Sequence, residues 1–215
     1  MIKIMSLILA LTGFSYFSTK TQFITHEVNI VDLKGRSVVR TKKVVYLTDM
    51  IDRKSLTDFF SQMKQVKEIS GPLLIVIDSP GGEVPSGALM LSGLNAFKMQ
   101  TGEKVICYVK GQAASMAFNI LSFCDVKIGD PRAVYLIHKV AYSFLDGMGE
   151  ERLTAKTLRK YADLIEKDDE PYRRQNAKEL HFTLKEYDLL ADNDTVFTSA
   201  YLLERFYLDK IATLE

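Results

Sequence analysis

The sequence contains few of the residues that build metal centres and disulfide frameworks. Its 215 residues include two cysteines, Cys107 and Cys124, and three histidines. The cysteines lack Cys-x-x-Cys spacing, which argues against a metal site or a disulfide framework. Both lie in apolar surroundings typical of small buried side chains. A Cys107–Cys124 bridge stays open if the protein is exported, because disulfides persist in oxidising compartments.

The chain also has almost no net charge. It carries 28 Lys and Arg against 27 Asp and Glu, a formal charge of +1, and the two signs are interspersed. Electrostatics therefore gives no reason to expect a nucleic-acid partner. The sequence has no internal repeat, low-complexity tract or Pro/Gly/Ser linker, and its length suits one domain with a sizeable core.

A long uncharged run stands at the N terminus. Residues 4–19 carry no charge, between Lys3 and Lys20. A membrane-spanning helix needs about 20 apolar residues, whereas a basic start followed by an apolar core is typical of a signal peptide. We interpret residues 1–22 as an export signal or membrane anchor, although no Ala-x-Ala cleavage pattern follows. A buried N-terminal element of a cytoplasmic protein is the alternative. Residues 23–215 are expected to form a single domain.

Beyond this segment, strand patterns alternate with helix patterns. Residues 55–67 have apolar side chains at helical spacing. Short apolar runs predict buried strands at residues 73–77, 104–109 and 133–137. This alternation predicts an α/β architecture with at least part of the sheet parallel. The pattern is helical again from Leu153, and Pro171 is expected to break or kink that helix, with Asp168 or Asp169 capping a restart.

A serine stands where a predicted strand turns into a helix. The run Gly-Gln-Ala-Ala-Ser-Met at residues 111–116 places Ser115 at the start of a helix predicted over residues 117–123. Unpaired N–H groups and the positive end of the helix dipole can stabilise an oxyanion there. Ser115 is therefore a candidate nucleophile. The alternative is an ordinary N-cap, a position that serine often occupies.

Other strand ends carry residues that would complete such a site. A paired-glycine turn, Gly81-Gly82, follows the strand at residues 73–77, and its N–H groups have no side chain in the way. An oxyanion site needs two N–H donors, and the natural pair is Gly82 and Met116, the residue after the serine. His138 ends the run at residues 133–137, where site residues collect in α/β folds, and it is the candidate base. Asp192 and Asp194 are candidates for the carboxylate that orients the base, and spacing does not choose between them. Each of these residues could instead serve only a turn or the core.

Taken in order, these motifs resemble the ClpP family of serine peptidases. The matching blocks are Asp-Ser-Pro-Gly-Gly at 78–82, Gly-Gln-Ala-Ala-Ser-Met at 111–116 and Leu-Ile-His at 136–138. The resemblance extends over residues 45–211. It implies a crotonase-like fold of stacked ββα units with a protruding handle helix region, here within residues 153–180.

The resemblance also implies roles for individual residues. Ser115 matches the nucleophile, His138 the base, and Gly82 and Met116 the oxyanion donors. The family's acid stands four residues before a Ser/Thr helix cap. Asp194 stands four residues before Thr198, so the resemblance favours Asp194 over Asp192. The implied activity is a serine endopeptidase that hydrolyses peptides or unfolded proteins.

The family also suggests partners for this chain. It implies a homo-oligomeric ring, no metal or bound cofactor, and an AAA+ unfoldase partner. Residues 1–44 do not match the family's N-terminal region, which forms the axial loops that meet the unfoldase. Lys139 and Val140 follow the histidine where the family usually has a proline nearby, and Pro171 interrupts the handle region. Residues 157–163 are similar to the ClpP-like maturation proteases of phage heads.

Three other functions remain open at this stage. The first is a signal-peptide-peptidase-like Ser/Lys protease, although such enzymes carry Gly-Gly after the serine and this chain has Met116-Ala117. The second is a non-proteolytic acyl-CoA enzyme of the same fold. The third is a catalytically silent ring subunit.

Overall fold

The computed structural model describes residues 26–140 and 154–215. The hydrophobic segment at residues 1–22 lies outside the described residues. Within them the chain forms nine strands and six helices. In chain order they are β1 (Val28–Asp32), β2 (Ser37–Thr41), β3 (Val44–Thr48), α1 (Arg53–Val66), β4 (Leu73–Ser79), α2 (Val84–Thr101), β5 (Val105–Ala114), α3 (Met116–Ser122), β6 (Val126–Gly129), β7 (Val134–Ile137), α4 (Ala155–Glu179), α5 (Leu184–Ala191), β8 (Thr195–Thr198), α6 (Ser199–Glu204) and β9 (Lys210–Leu214).

The strands form one mixed sheet with a parallel centre. Its main order is β2-β1-β9-β6-β5-β4-β3, and β7 and β8 continue from the far end of β5. The pairs β3–β4, β4–β5, β5–β6 and β5–β7 are parallel, whereas β7–β8 and β1–β2 are antiparallel. The carboxyl ends of β4, β5 and β7 therefore point the same way, as the predicted α/β architecture requires.

Both faces of the central strands are buried, because a parallel sheet is covered on each side. In β4, Leu73, Ile75 and Ile77 pack in the cluster that includes the helices. Leu74 and Val76 point to the opposite face and pack against residues of β1, β2 and β9. This two-sided burial explains why the run at residues 73–77 is apolar without alternation.

Two local predictions differ from the structure. β5 runs on to Ala114 because its last residues pair with β7, so most of the Gly111–Met116 motif is strand rather than turn. α4 is continuous through Pro171, and the predicted capped restart at Asp168 or Asp169 is wrong. Proline removes one helical hydrogen bond, but the C-terminal part of α4 packs on α3 and α5 and stays helical. A disulfide joins Cys107 to Cys124, the bridge that the sequence left open.

The N-terminal half of α4 stands clear of the core. Its apolar side chains Leu158 and Leu164 are exposed, whereas Asn176 and Ala177 near its C-terminal end are buried. Thr154 caps the helix by accepting a hydrogen bond from the Thr157 N–H. Among the described residues, no helix is both long and apolar enough to span a bilayer.

Candidate active site

β5 bends at the point where it changes partners. It pairs with β6 up to Val109 and with β7 from Gln112 onward. Asp78 at the end of β4 fixes the bend by accepting a 3.1 Å hydrogen bond from the Gln112 N–H. A Cβ on Gly111 would lie 2.4 Å from the Asp78 Oδ1, so a larger residue there would displace the carboxylate that holds the bend. The glycine of the motif therefore serves the bend that brings Ser115 to the strand end.

Ser115 occupies a strained junction between β5 and α3. Its backbone has φ 54° and ψ −123°, an unusual conformation for a residue other than glycine. Such strain costs about 1–3 kcal/mol and is concentrated at functional sites. A 2.9 Å hydrogen bond from the Ser115 N–H to the Leu136 carbonyl ties the junction to β7. The side chain makes no capping hydrogen bond, so the residue stands at the N-cap position without acting as a side-chain cap.

The paired-glycine turn packs directly against this junction. Gly81 and Gly82 have φ values of 90° and 149°, which glycine adopts readily. A Cβ on Gly81 would lie 2.7 Å from the Ser115 Cβ and 2.9 Å from the Met116 nitrogen. The turn is held on its other side by Ile51, whose N–H donates to the Gly81 carbonyl at 2.7 Å. The paired-glycine turn at the end of β4 thus lies directly against the end of β5.

Two backbone N–H groups stand out where the turn meets the junction, those of Gly82 and Met116. The Gly81 N–H donates to the Ser79 hydroxyl, and the Glu83 N–H donates to the Ile51 carbonyl. Among the described residues, the N–H groups of Gly82 and Met116 have no hydrogen-bond acceptor. Unpaired N–H donors of this kind are what an oxyanion site requires.

His138 and Ser115 line the same pocket. His138 follows β7, whose Leu136 pairs with Ala114 at the end of β5. The parallel register continued by one residue puts Ser115 beside Ile137, and His138 is the next residue of the chain. Met116 and Ile137 also line this pocket. The structure therefore brings together the serine, the histidine and one of the two expected N–H donors.

Asp194 lies at the same end of the sheet as His138. β7 and β8 pair antiparallel as far as Ile137 opposite Thr195, so His138 and Asp194 are the first residues beyond the paired register. Asp194 is exposed and has φ 47°, in the turn that leads into β8. Asp192 instead forms a 2.6 Å ion pair with Lys139. Asp194 does not line the pocket that contains Ser115 and His138.

Ser115 and His138 share a pocket, whereas Asp194 lies outside its lining. Within residues 26–140 and 154–215, no hydrogen bond joins the Ser115 hydroxyl, the His138 ring and the Asp194 carboxylate. Catalytic hydrogen bonds often tighten only when substrate is bound.

The pocket has a polar side that the sequence did not reveal. Asp169 and Asn176 of α4, together with Tyr187 of α5, line it beside the strand ends. Burial raises the pKa of the Asp169 carboxyl, and Arg173 partly opposes this effect. The sequence placed Asp169 only near a helix break, because nothing local indicates which part of α4 returns to the β5–β7 edge.

A buried hydrogen-bond network fixes α4 against the helix that begins at Ser115. The Ser122 hydroxyl of α3 donates to the Asn176 Oδ1 at 2.7 Å and lies 2.8 Å from the Tyr207 hydroxyl. Asn176 donates in turn to the Asn119 Oδ1 at 2.6 Å and to the Tyr187 hydroxyl at 3.1 Å. Burial raises the pKa of Tyr187 to about 12, so its hydroxyl remains a neutral member of the network. This network holds one wall of the pocket in place.

The part of the chain that the structure describes contains no cluster of three or more His, Cys, Asp or Glu residues that could hold a metal ion.

A family model described as Clp protease matches residues 29–213. The chain belongs to the Clp protease family. No individual curated protein matches it. Membership in this family supports a peptidase acting on peptide substrates, in a family that typically assembles into oligomeric rings.

Proposed function

We propose that this Clp-family chain is a serine endopeptidase. In this proposal Ser115 is the nucleophile, His138 the general base and Asp194 the orienting acid. The observation that carries it is the junction at Ser115, where a strained serine meets the Gly81 turn and shares a pocket with His138. The parallel strands with their intervening helices are compatible with the crotonase-like fold that the resemblance implied.

The chemistry would be acyl transfer in two stages. The Ser115 hydroxyl attacks the peptide carbonyl while His138 takes its proton, and the oxyanion binds the N–H groups of Gly82 and Met116. His138 then protonates the leaving amine as the C–N bond breaks, which leaves an ester on Ser115. Water attacks this ester with His138 again as base, and the acid product and free serine are released.

Asp194 is proposed as the acid on two grounds. Asp194 and His138 are the first residues beyond the paired register of β7 and β8, whereas Asp192 is engaged by Lys139. A carboxylate beside the ring would hold the histidine in the tautomer that accepts the serine proton. Closure of the His138–Asp194 distance on substrate binding is part of the proposal.

Substitution of the serine and the histidine tests the mechanism. We expect Ser115→Ala in the full-length protein to abolish both peptide hydrolysis and labelling by a fluorophosphonate, with the thermal unfolding midpoint retained. His138→Ala should lower both activities by orders of magnitude. Full activity in His138→Ala would instead favour the Ser/Lys alternative, although among the described residues no lysine lines the pocket.

The acyl-CoA alternative predicts a different ligand. Its chemistry needs the two N–H donors but no nucleophile, so acyl-CoA should raise the unfolding midpoint of Ser115→Ala as much as that of the parent protein. The peptidase proposal predicts no such stabilisation. A thermal-shift titration distinguishes the two functions.

The assembly and the N terminus complete the proposal. We propose that the chain assembles into a homo-oligomeric ring, with an AAA+ unfoldase as a partner to be tested. We also propose that residues 1–22 are an export signal or membrane anchor and that residues 23–215 form the peptidase domain. Sedimentation of the purified protein would report the ring. Cell fractionation with N-terminal sequencing would report the location and any cleavage, and a full-length protein in the soluble cytoplasmic fraction would contradict the export proposal.

A further inference from the structure

A buried carboxylate lines the pocket and has no part in the proposed chemistry. Asp169 belongs to α4, and its side chain is 8% exposed. It lines the same pocket as Ser115 and His138. Tyr172 of the same helix lies beside it in the lining. The side of the pocket formed by α4 is therefore polar, whereas Val84, Met116 and Ile137, at the starts of α2 and α3 and the end of β7, give it an apolar wall.

The charge of Asp169 is only partly balanced by its neighbours. Its nearest cation is Arg173, whose Nε lies 3.8 Å from the carboxylate. Arg173 is already held by Asp188, to which its Nε and Nη2 donate at 2.7 and 2.6 Å. Two carboxylates thus share one guanidinium, and the group has a net charge of −1.

Two further groups act on Asp169. The Val140 N–H donates a hydrogen bond to it, and the charge of Lys139 also lowers its pKa. Lys139, however, forms an ion pair with Asp192, so it too is shared with another carboxylate. Among the described residues, the pocket lining itself contains neither lysine nor arginine. Burial of a carboxylate with an incomplete partner raises its pKa. A ligand that brings a positive charge into the pocket would relieve this desolvation.

We propose that Asp169 selects a lysine or arginine side chain immediately before the scissile bond. The inference rests on the proposed peptidase function, because it takes the pocket beside Ser115 as the site of that residue. In the free protein this pocket has a volume of about 20 Å³, room for about one water molecule, so it must widen to admit the side chain. The apolar wall formed by Val84, Met116 and Ile137 suits the aliphatic stem of such a side chain. The carboxylate of Asp169 suits its charged end.

Matched peptides ending in lysine or norleucine test the proposal, because the two differ chiefly in the terminal charge. Their C-terminal residue occupies the position before the scissile bond, as in a cleavage product. Binding is measured by fluorescence anisotropy with full-length Ser115→Ala protein. We expect lysine to bind at least about tenfold more tightly than norleucine, the usual scale for a charged hydrogen bond.

Two further variants show whether Asp169 causes this preference. Adding Asp169→Asn should reduce the lysine-to-norleucine ratio about tenfold, because the amide keeps the shape but loses the charge. Adding Glu170→Gln is the matched control, since Glu170 is the next residue of α4, is exposed and pairs with Arg174. This control should leave the ratio unchanged.

Three results would overturn the inference. They are equal or weaker binding of the lysine peptide, an unchanged ratio in Asp169→Asn, and an equal loss of affinity for both peptides in that variant. Phosphonate probes with the same two side chains, applied to the parent protein, report the nucleophile separately. If neither probe labels Ser115, the peptidase proposal fails, and the anisotropy ratio still decides the role of Asp169.

Discussion

Replacing Gly81 by alanine should disable the site through a contact that can be read directly from the structure. The new Cβ would lie 2.5 Å from the Ala114 carbonyl oxygen and 2.9 Å from the Met116 nitrogen. Ordinary contact begins near 3.4 Å, so the turn and the Ser115 junction must separate by about 0.9 Å. The φ of 90° adds about 1–3 kcal/mol of backbone strain in the variant.

The expected loss of activity follows from that displacement. A misplacement of about 1 Å can cost about 100-fold in rate, and loss of one oxyanion donor costs about 100- to 1,000-fold. We therefore expect kcat for a fluorogenic peptide to fall at least about 100-fold in Gly81→Ala. Circular dichroism and thermal unfolding would establish that the protein remains folded.

Gly35→Ala is the matched control for backbone strain. Gly35 has φ 73° in the turn between β1 and β2, and a Cβ there would meet nothing within 4 Å. This variant should lose some stability but keep its activity. Wild-type kcat in a folded Gly81→Ala protein would refute the argument, and so would an equal loss of activity in Gly35→Ala.

Three further predictions concern the acid, the buried carboxylate and the network. In a peptide-hydrolysis assay, Asp194→Asn should lower kcat by about 10⁴-fold, as expected for loss of an orienting carboxylate. Asp192→Asn should change kcat by no more than about twofold. Equal effects of the two substitutions would contradict the choice of Asp194 as the acid. A raised pKa means that the contribution of Asp169 to stability is greatest below that pKa and falls as pH rises through it. Asp169→Asn should therefore gain in unfolding midpoint relative to the parent as pH rises above the ordinary carboxyl pKa of about 4, and a difference that stays constant as pH rises would argue against the shift. Ser122→Ala removes the hydroxyl that donates to the buried Oδ1 of Asn176. The free energy of unfolding, measured by urea titration, should fall by about 1–3 kcal/mol. An unchanged value would mean that the network contributes nothing to stability.

Local pattern predicted much of the fold that positions the site. Helical spacing predicted α1 within a few residues, and the apolar run at residues 73–77 predicted β4, because both elements bury a face whose period appears in the sequence. Thr198 was predicted as a helix cap, and its hydroxyl accepts a hydrogen bond from the Tyr201 N–H. The proximity of Ser115 and His138 followed from strand ends meeting at one edge of a parallel sheet.

Other features depend on contacts between distant parts of the chain. β5 continues to Ala114 only because β7 pairs with it. α4 stays helical through Pro171 because its C-terminal part packs on α3 and α5. Asp169 joins the pocket through the same packing, so no local motif near it could have revealed its position.

Mapping of the covalent adduct tests the central claim most directly. The full-length protein is treated with a fluorophosphonate, digested and analysed by mass spectrometry, with Ser115→Ala treated in parallel. We predict one adduct per chain on the peptide containing Ser115, fragment ions that assign it to that hydroxyl, and no adduct in the variant. An adduct on another residue, or equal labelling of Ser115→Ala, would contradict the assignment of Ser115 as the nucleophile.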